Sequence, residues 1–214
     1  MERFLSNKVC IITGAAQGIG KSIVERFAAD GAIVYACDRT EGSMDEWVKD
    51  CMVRNGVRVF PLYFDVMDAA AVKFAFMSIF KQEGRIDVLV NNAGLVIGVD
   101  KEFEGNLDEW DVVIDTNIKA LLAITRLVVP GMVERGRGHI INIGSIAGDA
   151  AYPGGSVYCA TKAAVKALSD GLRIDLVDTP LRVTNVKPGM VETNFTVVRY
   201  RGDKQAADNF YKGI

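Results

Sequence analysis

The run from Lys8 to Arg39 limits what this chain can fold into more than any other stretch. Lys8–Thr13 (K-V-C-I-I-T) is short, apolar and rich in β-branched residues, the pattern of a buried strand. T-G-A-A-Q-G-I-G follows, from Thr13 to Gly20. A helical period then runs from about Ile19 to Asp30, with Ile23, Val24, Phe27 and Ala28 on its apolar stripe, and Gly31 stops it. Ala32–Cys37 is a second apolar strand, and it ends in Asp38-Arg39. Strand, glycine turn, helix, strand and acid within about 30 residues are the context in which a glycine fingerprint acquires meaning. Gly14 lets the chain turn sharply. Gly18 and Gly20 allow backbone to approach a pyrophosphate at the helix N-terminus, where free N–H groups and the helix dipole favour an anion. The spacing is G-x-x-x-G-x-G, and it predicts a nucleotide site.

Asp38 and Arg39 bear on which nucleotide. A carboxylate at the end of the second strand accepts hydrogen bonds from both ribose hydroxyls and repels a 2′-phosphate, which favours NAD. A guanidinium beside it pairs with a 2′-phosphate, which favours NADP. Ala16 and Gln17 add no positive charge in the turn. The expectation is NAD, with NADP as the alternative.

The rest of the chain keeps the alternation. A helix is expected from Met44 to Arg54 with Asn55-Gly56 as its stop, and a strand from Val57 to Phe64 ending at Asp65-Val66. A helix from Ala69 to Lys81 and a strand from Ile86 to Val90 lead into N-N-A-G, Asn91 to Gly94. Leu95–Asn106 reads as a polar loop. A helix with a break follows from Leu107 to Val133 and contains Asn117. His139–Ile143 is a strand ending at Gly144-Ser145, and Leu181–Val186 is another, terminated by Pro188 and Gly189. A short helix is expected from Lys204 to Tyr211. Strands alternating with helices predict an α/β protein with a doubly wound parallel sheet. Ligands of such sheets bind outside the carboxyl ends of the strands, where Asp38, Asp65, Asn91, Gly94 and Ser145 fall. No linker, repeat or low-complexity stretch divides the 214 residues, so a single domain is expected.

Composition excludes several classes. Half of the residues are hydrophobic and the net charge is −2, so no basic footprint points to nucleic acid or to an anionic membrane. No apolar run reaches membrane-spanning length and M-E-R-F-L-S-N-K lacks a signal-peptide core, which leads to the expectation of a cytoplasmic protein. Cys10, Cys37, Cys51 and Cys159 form no C-x-x-C pair and read as buried free thiols. The single histidine, His139, has no second ligand near it in sequence, so no metal site is expected.

Chemistry is concentrated in Ser145–Lys162, S-I-A-G-D-A-A-Y-P-G-G-S-V-Y-C-A-T-K. Tyr158 and Lys162 are four apart in a run that should be helical from Val157, which puts them on one face about 6 Å apart. A free tyrosine has a pKa of about 10. An adjacent ammonium favours the phenolate and lowers that value, so the phenol could exchange a proton with a carbonyl or alcohol oxygen. Ser145, across a Gly/Pro loop, can hydrogen-bond the same oxygen.

T-G-A-A-Q-G-I-G, N-N-A-G, Asn117, Ser145, Y-C-A-T-K and P-G-M-V-E-T occur together in one order and spacing between Thr13 and Thr193. In this they resemble the short-chain dehydrogenase/reductase family. The resemblance implies a Rossmann-type fold with strand order 3-2-1-4-5-6 and hydride transfer between NAD(P) and a carbonyl or alcohol. It also implies roles. Tyr158 is the acid in reduction and the base in oxidation. Lys162 lowers its pKa and holds the nicotinamide ribose, Ser145 orients the substrate oxygen, and Asn117 maintains a water link from Lys162 to solvent. Gly14, Gln17, Gly18, Ile19 and Gly20 belong to the pyrophosphate turn. Asp38 and Arg39 meet the adenosine ribose, Asp65 and Val66 the adenine. Asn91, Ala93 and Gly94 line the cofactor cleft, and Pro188, Gly189, Val191 and Thr193 meet the nicotinamide carboxamide. Homodimers or homotetramers are usual in the family.

Up to about Asn92 the chain looks like 3-oxoacyl-[acyl-carrier-protein] reductases. From Gly94 onward, I-D-T-N-I-K-A and V-V-R-Y-R-G-D resemble bacterial 3-hydroxy acid (serine-type) dehydrogenases, which commonly use NADP. The family usually continues past the position of Ile214 with one more helix and a seventh strand, so this sequence is expected to lack both and to leave strand Leu181–Val186 as an edge. The second half builds the substrate pocket, so the expected substrate is a small 3-hydroxy acid. Arg199 is the candidate partner of its carboxylate, with Tyr152 on the wall opposite. The alternatives are a 3-oxoacyl thioester reductase and, from another class, a catalytically silent nucleotide-binding sensor or scaffold.

Overall fold

The computed structural model describes residues 3–212. Six parallel strands form one sheet in the order β3-β2-β1-β4-β5-β6. They are β1 (Val9–Thr13), β2 (Ile33–Asp38), β3 (Val59–Tyr63), β4 (Val88–Asn91), β5 (His139–Ile143) and β6 (Arg182–Val186). The eight α-helices among the described residues are α1 (Gly18–Ala29), α2 (Asp45–Asn55), α3 (Ala69–Glu83), α4 (Leu107–Ile114), α5 (Leu121–Glu134), α6 (Ser156–Asp175), α7 (Phe195–Arg199) and α8 (Lys204–Tyr211).

The strands are nearly continuous apolar runs because both sheet faces are covered. All five residues of β1 are buried. Its side chains alternate between two cores, as the two-residue period of a strand requires. Val9 and Ile11 pack on one face with Phe76 and Ile79 of α3 and Ile124, Val128 and Met132 of α5. Cys10 and Ile12 pack on the other with Val24 and Ala28 of α1 and Val48 and Cys51 of α2. All four cysteines are buried and free. The chain leaves the β3 edge through α3 and re-enters beside β1 as β4, so the strand order reverses between β1 and β4. The crevice above that reversal is where such sheets take ligands. β6 is an edge strand among the described residues, with Arg182, Thr184 and Val186 exposed.

Three differences from the sequence expectation matter for the site. β4 runs one residue further than Ile86–Val90 suggested, and Asn91 pairs in register with Asn142 of β5. The break foreseen between Leu107 and Val133 is a π-helical segment, Asp115–Ala120, that joins α4 to α5 without interrupting the rod. The tail contains a second short helix, α7, ahead of the one expected at Lys204–Tyr211. No helix among the described residues is long and apolar enough to cross a membrane.

Candidate functional site

A cleft of about 1060 Å³ opens above the carboxyl ends of the strands. Its first wall is the glycine turn between β1 and α1, where Gly14, Gln17, Gly18, Ile19 and Gly20 all face the space. The turn is compact because it has no room for side chains. A β-carbon on Gly14, whose φ is +64°, would stand 2.8 Å from Ala93 Cα, and one on Gly20 would stand 2.1 Å from the Gly14 carbonyl oxygen. Asn92 clamps the arrangement, its Nδ2 donating to the carbonyls of Thr13 and Gly14 at 2.9 Å. The Thr13 hydroxyl accepts from the N–H groups of Asn92 and Ala93. α1 begins at Gly18 with no capping side chain and no acid in its first turn. Its first N–H groups are therefore available to an anion. By contrast α3 and α4 are capped by Asp68 and Asn106.

Asp38 closes the far end. One carboxylate oxygen accepts from Ala16 N at 3.0 Å and the other from Thr40 N at 3.2 Å, which ties the glycine turn to the end of β2. Each oxygen keeps a lone pair for a further donor. Arg39, Asp65 and Val66 line the same end, and Arg39 is exposed.

The opposite end is built by β5, α6 and the tail. Ser145 follows β5, and its hydroxyl accepts from Ala147 N at 3.1 Å. Tyr158 and Lys162 lie on α6, with the Lys162 ammonium 5.7 Å from the centre of the Tyr158 ring. Lys162 is only 6% exposed and donates to the Ile143 carbonyl at 2.8 Å. Burial lowers its pKa to about 8, since the charged form loses its water. Burial pushes the Tyr158 phenol up to about 12, and the Ser145 hydroxyl beside it acts in the opposite direction. On balance the phenol is therefore raised, because burial outweighs the groups that lower it. The ammonium is directed at a sheet carbonyl and lies over the ring, so desolvation of the phenolate dominates.

Asn117 sits in the π-helical segment and is buried. Its side chain brackets Leu95, accepting from Leu95 N and donating to Leu95 O, both at 2.9 Å, and also donates to the Thr161 hydroxyl. It therefore positions the loop after Gly94 against α6, one residue from Lys162, and does not itself line the cleft. A β-carbon at Gly94 would lie 3.2 Å from Asn117 Oδ1 and 3.5 Å from Lys162 Nζ, so the three meet at one point. π-bulges inside α-helices commonly mark functional positions.

Asn91 departs from expectation. It is buried below the cleft, and its Nδ2 donates to Thr125 Oγ1 and Asn142 Oδ1. The extra strand residue turns its side chain into the interior, and Asn92, Ala93 and Gly94 line the cleft instead. Pro188, Gly189, Val191 and Thr193 do line it, with Thr193 packed on Gly18.

The tail folds over this end. Phe195 lies against Tyr158, ring centres 5.6 Å apart. Arg199, the last residue of α7, is 9% exposed, and its guanidinium lies 5.0 Å from the Tyr152 ring centre and 5.5 Å from that of Phe210. Its Nε is buried without a hydrogen-bond partner, and no carboxylate among the described residues pairs with it. Asn92, Phe210 and Tyr211 were not singled out in the sequence. Asn92 stood beside a better candidate in N-N-A-G, and nothing local shows that α8 reaches the cleft.

The cleft therefore has carboxylates at one end and two buried cations at the other, with the tyrosine and serine hydroxyls between. It can hold an elongated anionic ligand at the glycine turn and place a small group beside Tyr158. The profile of the short chain dehydrogenase family matches residues 8–204. An NADP-dependent 3-hydroxy acid dehydrogenase of Schizosaccharomyces pombe is 42% identical over 209 residues, 97% of this chain and 81% of that protein. A closed form of serine dehydrogenase complexed with NADP+ superposes with a TM-score of 0.89 at 41% identity, covering 96% of this chain and 82% of the other. A Burkholderia phymatum short chain dehydrogenase/reductase in complex with NAD gives 0.86 at 28% identity, covering 92% and 70%. With fold, strand order and relatives in agreement, the chain belongs to the short-chain dehydrogenase family and is an oxidoreductase acting on hydroxyl groups.

Proposed function

We propose that the chain oxidises a small 3-hydroxy acid, or reduces the corresponding oxo acid, with Tyr158 as the proton-transfer group and NAD as the favoured nicotinamide nucleotide. The observation that carries the reading is the convergence of Ser145, Tyr158 and buried Lys162 at one end of a cleft whose other end is the glycine turn. The residues fit a dinucleotide. The turn packs so closely that β-carbons at Gly14 and Gly20 would collide with Ala93 and the Gly14 carbonyl, the α1 N–H groups are uncapped, and Asp38 retains acceptor capacity. When bound, the nucleotide supplies or accepts the hydride. Gly14, Gln17, Gly18, Ile19 and Gly20 would hold its pyrophosphate and Asp38 its adenosine ribose. Asp65 and Val66 would meet the adenine, Ala93 and Gly94 the middle of the cleft, and Pro188, Gly189, Val191 and Thr193 the nicotinamide. Arg39, exposed and without an ion pair among the described residues, favours a second reading in which a 2′-phosphate binds there; the NADP named for two of the relatives points the same way.

The proton side follows from the environments. With its pKa raised to about 12, Tyr158 is a neutral phenol at pH 7, the form that donates to a carbonyl oxygen. Ser145 orients that oxygen. Lys162, with its pKa near 8, is mostly charged at neutral pH and supplies the field that steadies the phenolate as the proton leaves. In oxidation the phenolate takes the hydroxyl proton. Asn117 holds the loop and α6 in register around Lys162. Arg199 takes the substrate carboxylate, with Tyr152 packed against its guanidinium. Two separately desolvated cations with no acid between them suit a substrate that brings its own negative charge.

Two measurements test this. Fluorescence titration with NADH and NADPH should give tighter NADH binding; tighter NADPH binding assigns the choice to Arg39, and no binding of either removes the nucleotide site. Tyr158→Phe should lose at least about 100-fold in kcat for 3-hydroxypropanoate oxidation while binding nucleotide normally, and unchanged turnover would contradict the role given to Tyr158.

A further inference from the structure

Arg201 lies two residues past the proposed carboxylate anchor, and its surroundings are unusual for a surface arginine. Its φ is +51°, one of two left-handed non-glycine residues among those described. Such a conformation costs about 1 kcal/mol or more outside glycine, so something must hold it. Its guanidinium takes two carboxylates from separate segments. It donates to Glu109 of α4 through Nε and Nη2, both at 2.8 Å, and to Asp100 in the loop after β4. Forked pairing of this kind has both strength and direction. It also holds the Glu109 carboxyl below its ordinary pKa.

The loop and the tail meet again one step away. Gly98 N donates to Arg199 O at 2.8 Å, so the loop is bonded to the backbone of the anchor itself. A β-carbon on Gly98 would stand 2.6 Å from Asp100 Oδ2 and 2.8 Å from Arg201 Nη2. The Asp100–Arg201 pair therefore rests directly on the Gly98 α-carbon, and the next residue, Val99, faces the cleft. Pulling Arg201 away would release loop and helix end together. Arg199 itself has no carboxylate partner among the described residues, and its guanidinium is held by Tyr152 and Phe210.

From this clasp we infer that Arg201, with Asp100 and Glu109, is a positioning residue that sets Arg199 for the acidic end of the substrate and so determines selectivity for anionic over neutral hydroxy compounds. The inference rests on the reading of Arg199 as the carboxylate partner. Arg201 lies outside the cleft lining, so it acts through α7 and the loop and not by touching substrate.

The test uses the whole protein with 3-hydroxypropanoate and its methyl ester as a neutral match. Arg201→Ala should raise KM for the acid roughly tenfold. Its kcat, the KM for the ester and the nucleotide affinity should stay within about twofold of the parent. Arg201→Lys, which can keep one of the two pairs, should recover part of the loss, and Glu109→Gln should show a smaller loss of the same kind. An unchanged KM for the acid in Arg201→Ala overturns the clasp. So does an equal rise for acid and ester, or a loss of nucleotide binding, because those follow from general loosening. If Arg201→Ala does not fold, the graded pair of Arg201→Lys and Glu109→Gln decides by the same acid-against-ester criterion. Arg199→Ala separates the two readings. If it leaves the KM for the acid unchanged, the anchor assignment fails and the clasp with it. If it raises that KM while the Arg201 variants do not, the clasp alone fails.

Discussion

Lys162 shows what a single buried charge costs the fold. Its ammonium is almost wholly buried, has one carbonyl partner, and titrates at about 8 where an exposed lysine titrates near 10.5. The folded pKa lies below the unfolded one, so folding is penalised wherever the group is charged in the folded state. Below pH 8 the penalty is complete, about 3 kcal/mol at 1.36 kcal/mol per pKa unit. Between about 8 and 10.5 the unfolded chain binds more protons than the folded one, so stability rises with pH and the penalty disappears. Lys162→Met removes the charge but leaves the Ile143 carbonyl unpaired, which costs about 1 kcal/mol or more. The variant should therefore be inactive yet more stable by about 1–2 kcal/mol at pH 7, with the advantage fading toward pH 10. Urea unfolding of both proteins at pH 7 and pH 10 checks this, and a variant less stable than the parent at pH 7 would refute it. The position of Lys162 was visible in the sequence from its spacing to Tyr158. The net rise of the tyrosine's pKa was not, because desolvation depends on what α6 is packed against.

Among the elements, the β1–α1 unit was the most legible. β-branched residues, glycines and a helical stripe are local signals, and the structure follows them to within a residue or two at each boundary. The turn works because the Ala93 backbone, the Gly14 carbonyl and the Asn92 and Thr193 side chains occupy space that β-carbons would need. Gly20→Ala places a methyl group 2.1 Å from the Gly14 carbonyl oxygen and 2.6 Å from Asn92 Nδ2. The turn must open, so isothermal titration should show nucleotide affinity falling by tenfold or more, about 1.4 kcal/mol. An affinity within twofold of the parent would mean that the turn is not the pyrophosphate cradle. Elements whose geometry depends on distant partners were less legible. The π-helical segment around Asn117 appeared only as a break in a helix. Its conformation lets Asn117 bracket Leu95 and reach Thr161, and neither contact is written in D-T-N-I-K-A itself. α7 and α8 have weak local patterns, and their place over the cleft comes from packing of Phe195 and Phe210.

At the scale of the molecule, the cleft joins segments from nearly the whole chain, from Gly14 to Tyr211. A ligand that bridges them binds only the folded state and so stabilises it. Nucleotide at about 100 times its Kd should add about 2.7 kcal/mol, a rise in Tm of roughly 5–10 °C for a chain of this size. Differential scanning fluorimetry with NADH reads the shift, and an unchanged Tm at saturating nucleotide would contradict a site that spans these segments. By itself the sequence determined the α/β class, the parallel strand order expected from the family resemblance, and the residue types at the strand ends. These follow from hydrophobic period and turn chemistry, which act over a few residues. Only the tertiary structure decided that Asn91 turns inward while Asn92 clamps the glycine turn, that burial raises Tyr158 and lowers Lys162, and that Arg199, without a carboxylate partner among the described residues, faces the cleft beside a clasp formed by Arg201. Each of those outcomes depends on solvent exclusion and on contacts between residues far apart in the chain, and no local pattern encodes either.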